Sequence, residues 1–162
     1  MILAAGPGGR NLRPSELDDL GLAAALRSLA HEFESRYRIP IHCRCSITSK
    51  LPTEVEMALY RIAQEALTNV AKHSHATRAE LGIICSNNHA ALNVRDNGKG
   101  FRVHQGVGKT PGWGLKNMKE RAGLLGGTFS ISSVARNKGT AVSVTIPLHT
   151  NGSSNGVMSL LS

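Results

Sequence analysis

Aromatic side chains are scarce here, at 4% of 162 residues, so the stacking platforms that grip single-stranded nucleic acid are largely missing. The chain also lacks an apolar run near the roughly 18 residues that cross a bilayer, and no membrane-inserted segment is expected. Its opening Met1-Ile2-Leu3-Ala4-Ala5 has neither the length nor the basic start of a secretory signal. Cysteines number three, an odd count that cannot pair fully within one chain. Cys43 and Cys45 would share one strand face, yet no second Cys or His pair completes a metal site. Free thiols in a reducing cytoplasm are the expectation. Although the net charge is +8, Lys and Arg are scattered, with no dense basic arm. That pattern disfavours a nucleic-acid partner and suits a polyanionic ligand such as ATP, or an acidic protein.

Two phosphate and metal motifs are missing as well. Gly108-Lys109-Thr110 looks like part of a Walker loop, but no glycine lies five positions before Gly108 and no strand leads in. Around Asp96-Asn97-Gly98 the alternating acidic positions of a calcium loop are absent.

What is present fits one domain. The length can bury a core unaided, and 41% hydrophobic with 19% charged residues is ordinary for a globular chain. The Gly- and Ala-rich residues 1–11 read as a leader, native or artificial, 12–148 as the folded domain and 149–162 as a flexible tail. Ser15 with Asp18, and Thr53 with Glu56, form capping-box patterns that predict two helix starts. The first helix should run to about Arg36 with Leu17, Leu20, Ala24, Leu26 and Leu29 inward. The second carries Val55, Leu59, Ile62, Ala66 and Val70 at helical spacing. A third spans Gly114 to Leu125 and stops at Gly126-Gly127. Strands are predicted at Ile41–Ile47, Thr77–Cys85, Ala90–Val94, Phe129–Ile131 and Ala141–Ile146. The glycine-rich stretch Asn97 to Gly112 reads as a long loop of the kind that forms lids. Consecutive strands imply an α+β fold, a two-layer sandwich with a mixed, mainly antiparallel sheet and three helices on one face.

The chemistry gathers in three patterns. Glu65, Asn69 and Lys72 fall within roughly 60° on the second helix, beside its apolar stripe, where a residue lines the rim of a cleft. Asp96-Asn97-Gly98-Lys99-Gly100 ends a strand, placing a carboxylate at a bend that can face a pocket and accept hydrogen bonds from an adenine amine. Gly98 and Gly100 allow the backbone to approach a ligand closely. Gly112-Trp113-Gly114-Leu115 would present backbone N–H groups to an anion at a helix start. Asn69 offers a neutral oxygen to Mg²⁺, Lys72 a charge to a phosphate, and Glu65 a base for an incoming hydroxyl, imidazole or water. Singly, each pattern is commonplace: a solvated helix face, an Asx-Gly turn, a glycine turn. Their order on the chain is what points to a nucleoside-triphosphate site.

Glu65-Ala66-Leu67-Thr68-Asn69-Val70, Asp96 to Phe101, Gly112 to Leu115 and Gly139-Thr140 together resemble the N, G1 and G2 boxes and the final threonine of the GHKL ATPase superfamily. Leu12-Arg13-Pro14, Leu17 to Leu22 and Tyr60 to Ala66 further resemble bacterial two-component sensor histidine kinases, of the nitrate-sensor and desaturase-regulator branch. The likeness spans about residues 12–148.

The resemblance implies a Bergerat-type fold holding ATP and Mg²⁺ beneath a mobile lid. It assigns Mg²⁺ to Asn69, the base to Glu65, adenine to Asp96, phosphates to Lys72, Gly112 and Gly114, and an adenine-side contact to Thr140. It further implies two partners, a histidine-bearing dimerisation domain that takes the γ-phosphoryl group and a response regulator receiver domain that takes it next. The dimerisation domain is expected to lie outside this sequence. His31-Glu32 mimics a phosphoacceptor dipeptide, but it sits in the helix that matches the catalytic domain's own first helix. A non-catalytic nucleotide-binding module of the same fold is the alternative.

Overall fold

The computed structural model describes residues 14–100, 113–133 and 139–149. The expected leader lies outside them, as do the tail beyond His149 and all of the expected lid except Asn97–Gly100.

Helix α1, Ser15–Tyr37, is followed by β1, Ile41–Ile47, and by α2, Thr53–Asn69. A π turn, Val70–Ser74, leads from α2 toward β2, Ala79–Cys85, and then β3, His89–Asp96. Helix α3, Trp113–Leu124, precedes β4, Thr128–Ser133, and β5, Thr140–Pro147. The five strands form one sheet in the order β1-β2-β3-β5-β4. β1 pairs with β2 in parallel, and the remaining pairs are antiparallel. This is the expected mixed sheet of a two-layer α+β sandwich.

Alternation along the strands sets the two faces. On β2, Ala79, Leu81, Ile83 and Cys85 are buried while Glu80 and Ile84 point out; on β3, Ala90, Leu92, Val94 and Asp96 are buried. Helices cover that inner face, where Leu26, Leu59, Ile62 and Ile146 have no exposed surface. Each such side chain contributes about 1.5–3 kcal/mol by leaving water.

Helices α1 and α2 begin at Ser15 and Thr53, where the capping-box patterns predict starts, each directly after a proline, Pro14 and Pro52. One local expectation needs correcting: Leu20 is 69% exposed rather than inward. Gly21 breaks α1 with φ 81° and ψ 174°, which resets the helical phase between Leu17 and Leu22, both buried. A run of leucines with one glycine in it carries no sign of that shift.

Candidate functional site

Asp96 owes its burial to strand period. It is the last inward residue of β3, in phase with Leu92 and Val94, and only 5% of it is exposed. Its register partner is Thr140, the first residue of β5. The carboxylate accepts the Gly98 N–H at 2.7 Å and a backbone hydrogen bond from Thr140. Burial pushes its pKa above the ordinary 3.8, and the two backbone donors oppose that rise.

The bend after Asp96 is closely fitted. Gly139 has φ 76°, and a Cβ there would collide with the Asp96 carbonyl. A Cβ on Gly98 would run into the Ser74 carbonyl, the same oxygen that accepts the Lys99 N–H at 2.8 Å. Gly98 O in turn accepts the Gly139 N–H at 3.0 Å. The bend therefore lies against the end of the π turn on one side and the start of β5 on the other.

The π turn lines the cleft beside this bend. Ser74 Oγ donates to the Val70 carbonyl at 2.6 Å and accepts the Ala76 N–H at 3.0 Å, and His75 turns the chain away at φ 53°. Lys72 sits within this turn, so the 100° step that placed it beside Asn69 does not hold to the end of the run. It nonetheless faces the same cleft. Glu65, one helical turn before Asn69, meets the start of α3: a Cβ on Gly114 would touch the Glu65 carboxylate.

Between these walls lies a cleft of about 590 Å³, within the range of ligand pockets. Glu65, Asn69, Lys72, Asp96, Gly100, Gly114, Leu115 and Thr140 all line it. Gly98 stands behind the lining, packed on Ser74, and Gly112 lies outside the described residues. Ala66, Val70, Val94, Ile131 and Val142 supply apolar walls, and His73, Ser74, His75 and Lys99 complete the lining. Val94, Ile131 and Val142 follow from strand alternation, but only the sheet order shows that the three meet at one place. An apolar slot with one buried carboxylate at its inner end suits a flat ring bearing a hydrogen-bond donor. The Lys72 side of the cleft suits anionic groups.

The donor set also fits a magnesium ion carried in with phosphates. Among the described residues no group of three or more His, Cys, Asp or Glu side chains could hold a metal ion. Asn69, with Glu65 nearby, offers the sparse oxygen set typical of Mg²⁺, which completes its shell with water and phosphate oxygens. No described helix is long and apolar enough to cross a membrane.

Comparison with known proteins bears on the family and the fold. Residues 54–150 match the family described as histidine kinase-, DNA gyrase B-, and HSP90-like ATPase. The oxygen sensor histidine kinase NreB of Staphylococcus carnosus is 38% identical over 138 residues, covering 85% of this chain and 39% of that protein. The sensor histidine kinase LiaS of Bacillus subtilis is 39% identical over 138 residues, covering 85% of this chain and 37% of that protein. The chain thus spans about two fifths of the length of these relatives. Among solved structures, the histidine kinase domain of the Erythrobacter litoralis EL346 blue-light activated histidine kinase has a TM-score of 0.61 at 21% identity, covering 78% of this chain and 61% of that one. The mycobacterial sensor histidine kinase MprB has a TM-score of 0.57 at 20% identity, covering 76% and 91%. At these identities the two structures speak for the fold alone. The chain belongs to the histidine kinase-, DNA gyrase B-, and HSP90-like ATPase family, as a histidine kinase-type ATPase domain of the sensor kinases.

Proposed function

We propose that residues 12–148 form the ATP-binding catalytic domain of a sensor histidine kinase. The domain would transfer the γ-phosphoryl group of Mg·ATP to a histidine on a separate dimerisation domain, for relay to the receiver domain of a response regulator. The single observation that carries this reading is the buried Asp96 in a largely apolar cleft that Asn69 and Lys72 also line. Asp96 accepts the adenine amine, beside Thr140, while Val94, Ile131 and Val142 exclude water from the ring. Lys72 holds phosphate oxygens as a point charge, and the backbone at Gly114 and Leu115 adds donors at the start of α3. Gly98 and Gly100 keep the adenine side open to close approach. Asn69 would hold Mg²⁺, which would supply charge neutralisation along the phosphates. Glu65 orients or deprotonates the incoming imidazole, and positioning with charge stabilisation accounts for most of the rate. A domain working in this way belongs on the cytoplasmic side of its parent protein, where ATP is found.

Calorimetric titration of Mg·ATP into the wild type and into Asp96→Asn tests the site. Binding by the wild type that is lost in the variant is the expected result, and a folded wild type that binds no nucleotide would sink the proposal. With a phosphoacceptor domain added, Glu65→Gln should bind ATP and fail to phosphorylate. If Glu65→Gln phosphorylates normally, Glu65 is not the base; a wild type that binds ATP yet phosphorylates no acceptor domain would make a non-catalytic nucleotide-binding module the better reading.

A further inference from the structure

Asn97 follows the carboxylate that closes the cleft, and its whole side-chain amide bonds to the chain leaving the π turn. Its Oδ1 accepts the N–H groups of Thr77 and Arg78 at 2.9 and 3.0 Å. Its Nδ2 donates to Thr77 Oγ1 at 2.8 Å, and its own N–H donates to the Arg78 carbonyl at 3.4 Å. Two residues later, Lys99 N–H returns to the Ser74 carbonyl at 2.8 Å. The bend that carries Asp96 is thereby tied at two points to the segment Ser74–Arg78, which emerges from the helix end bearing Asn69 and Lys72. The cleft's two walls come from stretches far apart in sequence, and this clasp joins them directly.

Asn97 is exposed, so its bonds replace ones that water would supply equally well, and each contributes little to global stability. A solvent-facing amide with Oδ1 and Nδ2 both bound internally fixes a position more than it stabilises a fold.

We infer that Asn97 is a positioning residue for nucleobase recognition: it holds the Asp96 bend in place against the Thr77–Arg78 segment and so sets the base-recognising carboxylate relative to the phosphate-facing wall. The inference rests on the ATP-binding role proposed above. The base end of a bound nucleotide depends on the clasp, and the triphosphate end does not.

The test measures the affinities of Mg·ATP and Mg·GTP, by displacement of a fluorescent nucleotide, in the wild type, Asn97→Ala, Asn97→Asp and Thr77→Val. An aspartate still accepts both backbone N–H groups, and the Thr77 hydroxyl can rotate to donate to it. Asn97→Ala should bind ATP about tenfold more weakly, the weight of roughly one good hydrogen bond at a displaced Asp96. Its preference for ATP over GTP should shrink by a similar factor. Asn97→Asp should stay within about twofold of the wild type, because only the amide donor is lost. Thr77→Val, which keeps the backbone acceptor bonds, should weaken ATP by about threefold with the same drift in base preference, and it carries the test if Asn97→Ala does not fold. Wild-type affinity and base preference in Asn97→Ala, or in Thr77→Val should the alanine variant not fold, would overturn the inference. Equal weakening toward ATP and GTP, in step with a lower Tm, would also overturn it, since that is the signature of general loosening. A wild type that binds neither nucleotide removes the proposed function, and the inference with it. The inference fails alone only when the wild type binds.

Discussion

Asp96 illustrates how a single residue trades stability for chemistry. Its pKa is raised, so the fold prefers the protonated acid, and that preference is fully present only below the ordinary 3.8. As pH rises through the shifted value, ionisation withdraws the contribution. The stability of the wild type should therefore fall relative to Asp96→Asn as pH rises above about 3.8, read as urea midpoints. A constant difference would mean the carboxylate is not strained by burial. Gly114 gives the complementary case. The nearest atoms an alanine there would meet belong to the Glu65 side chain, whose carboxylate end can swing aside. Helix propensity favours alanine by about 0.5–1 kcal/mol, so Gly114→Ala should hold or raise the Tm. Phosphotransfer to an acceptor domain should drop at least about tenfold, because the displaced group is the proposed base. Both residues were legible as site candidates in the sequence, since a carboxylate before Asx-Gly and a glycine at a helix start are local signals. Asn97 was legible only as part of a turn, because its partners Thr77 and Arg78 lie on another strand's approach.

Among the elements, the π turn Val70–Ser74 departs most from the sequence reading. Nothing in Val70-Ala71-Lys72-His73-Ser74 marks the change of pitch; the helical period runs on through it, and Val70 is buried as that period requires. The turn is held by tertiary partners: Ser74 Oγ bridges Val70 O and Ala76 N, while Ser74 O takes the Lys99 N–H. Ser74 is buried, so Ser74→Ala leaves the Ala76 N–H without its acceptor and should cost about 1–3 kcal/mol in denaturant unfolding. A loss well below that range would mean the turn is set by its neighbours alone. The break at Gly21 works the same way. Its φ of 81° suits glycine, so Gly21→Ala should destabilise by about 1–3 kcal/mol although open space surrounds the site. A smaller effect would show that the segment before Gly21 adds little to the domain. Element identity and most ends were readable because amphipathic periods are local. The phase shifts inside elements were not, because packing decides them.

At the scale of the whole molecule, the three cysteines gather where β1 and β2 meet α1. Cys43 Sγ and Cys45 Sγ lie 3.7 Å apart on one face, and Cys45 Sγ points to the Ala23 carbonyl at 3.9 Å. Burial, then the neighbouring Cys45, pushes the Cys43 thiol from 9.0 up to about 12, and the same causes push Cys85 to about 11. Thiolates are thus disfavoured in the fold. The stability that protonated thiols confer is intact below pH 9.0 and is lost between there and about 11 to 12. Urea midpoints of the wild type should fall more steeply above about pH 9 than those of Cys43→Ser, and parallel curves would count against thiol ionisation as the cause. By itself the sequence determined the class of fold, the elements in order, the family and about half of the residues around the cleft. Each of these is written in short-range periods, in turn chemistry or in the order of motifs along one chain. Only the tertiary structure decided that β1 runs parallel to β2, that Asp96 faces Thr140, that Leu20 turns outward and that Asn97 clasps the π-turn exit. Those depend on which distant segments meet, and contact between them is chosen by the burial of the whole sheet face rather than by any neighbour in sequence.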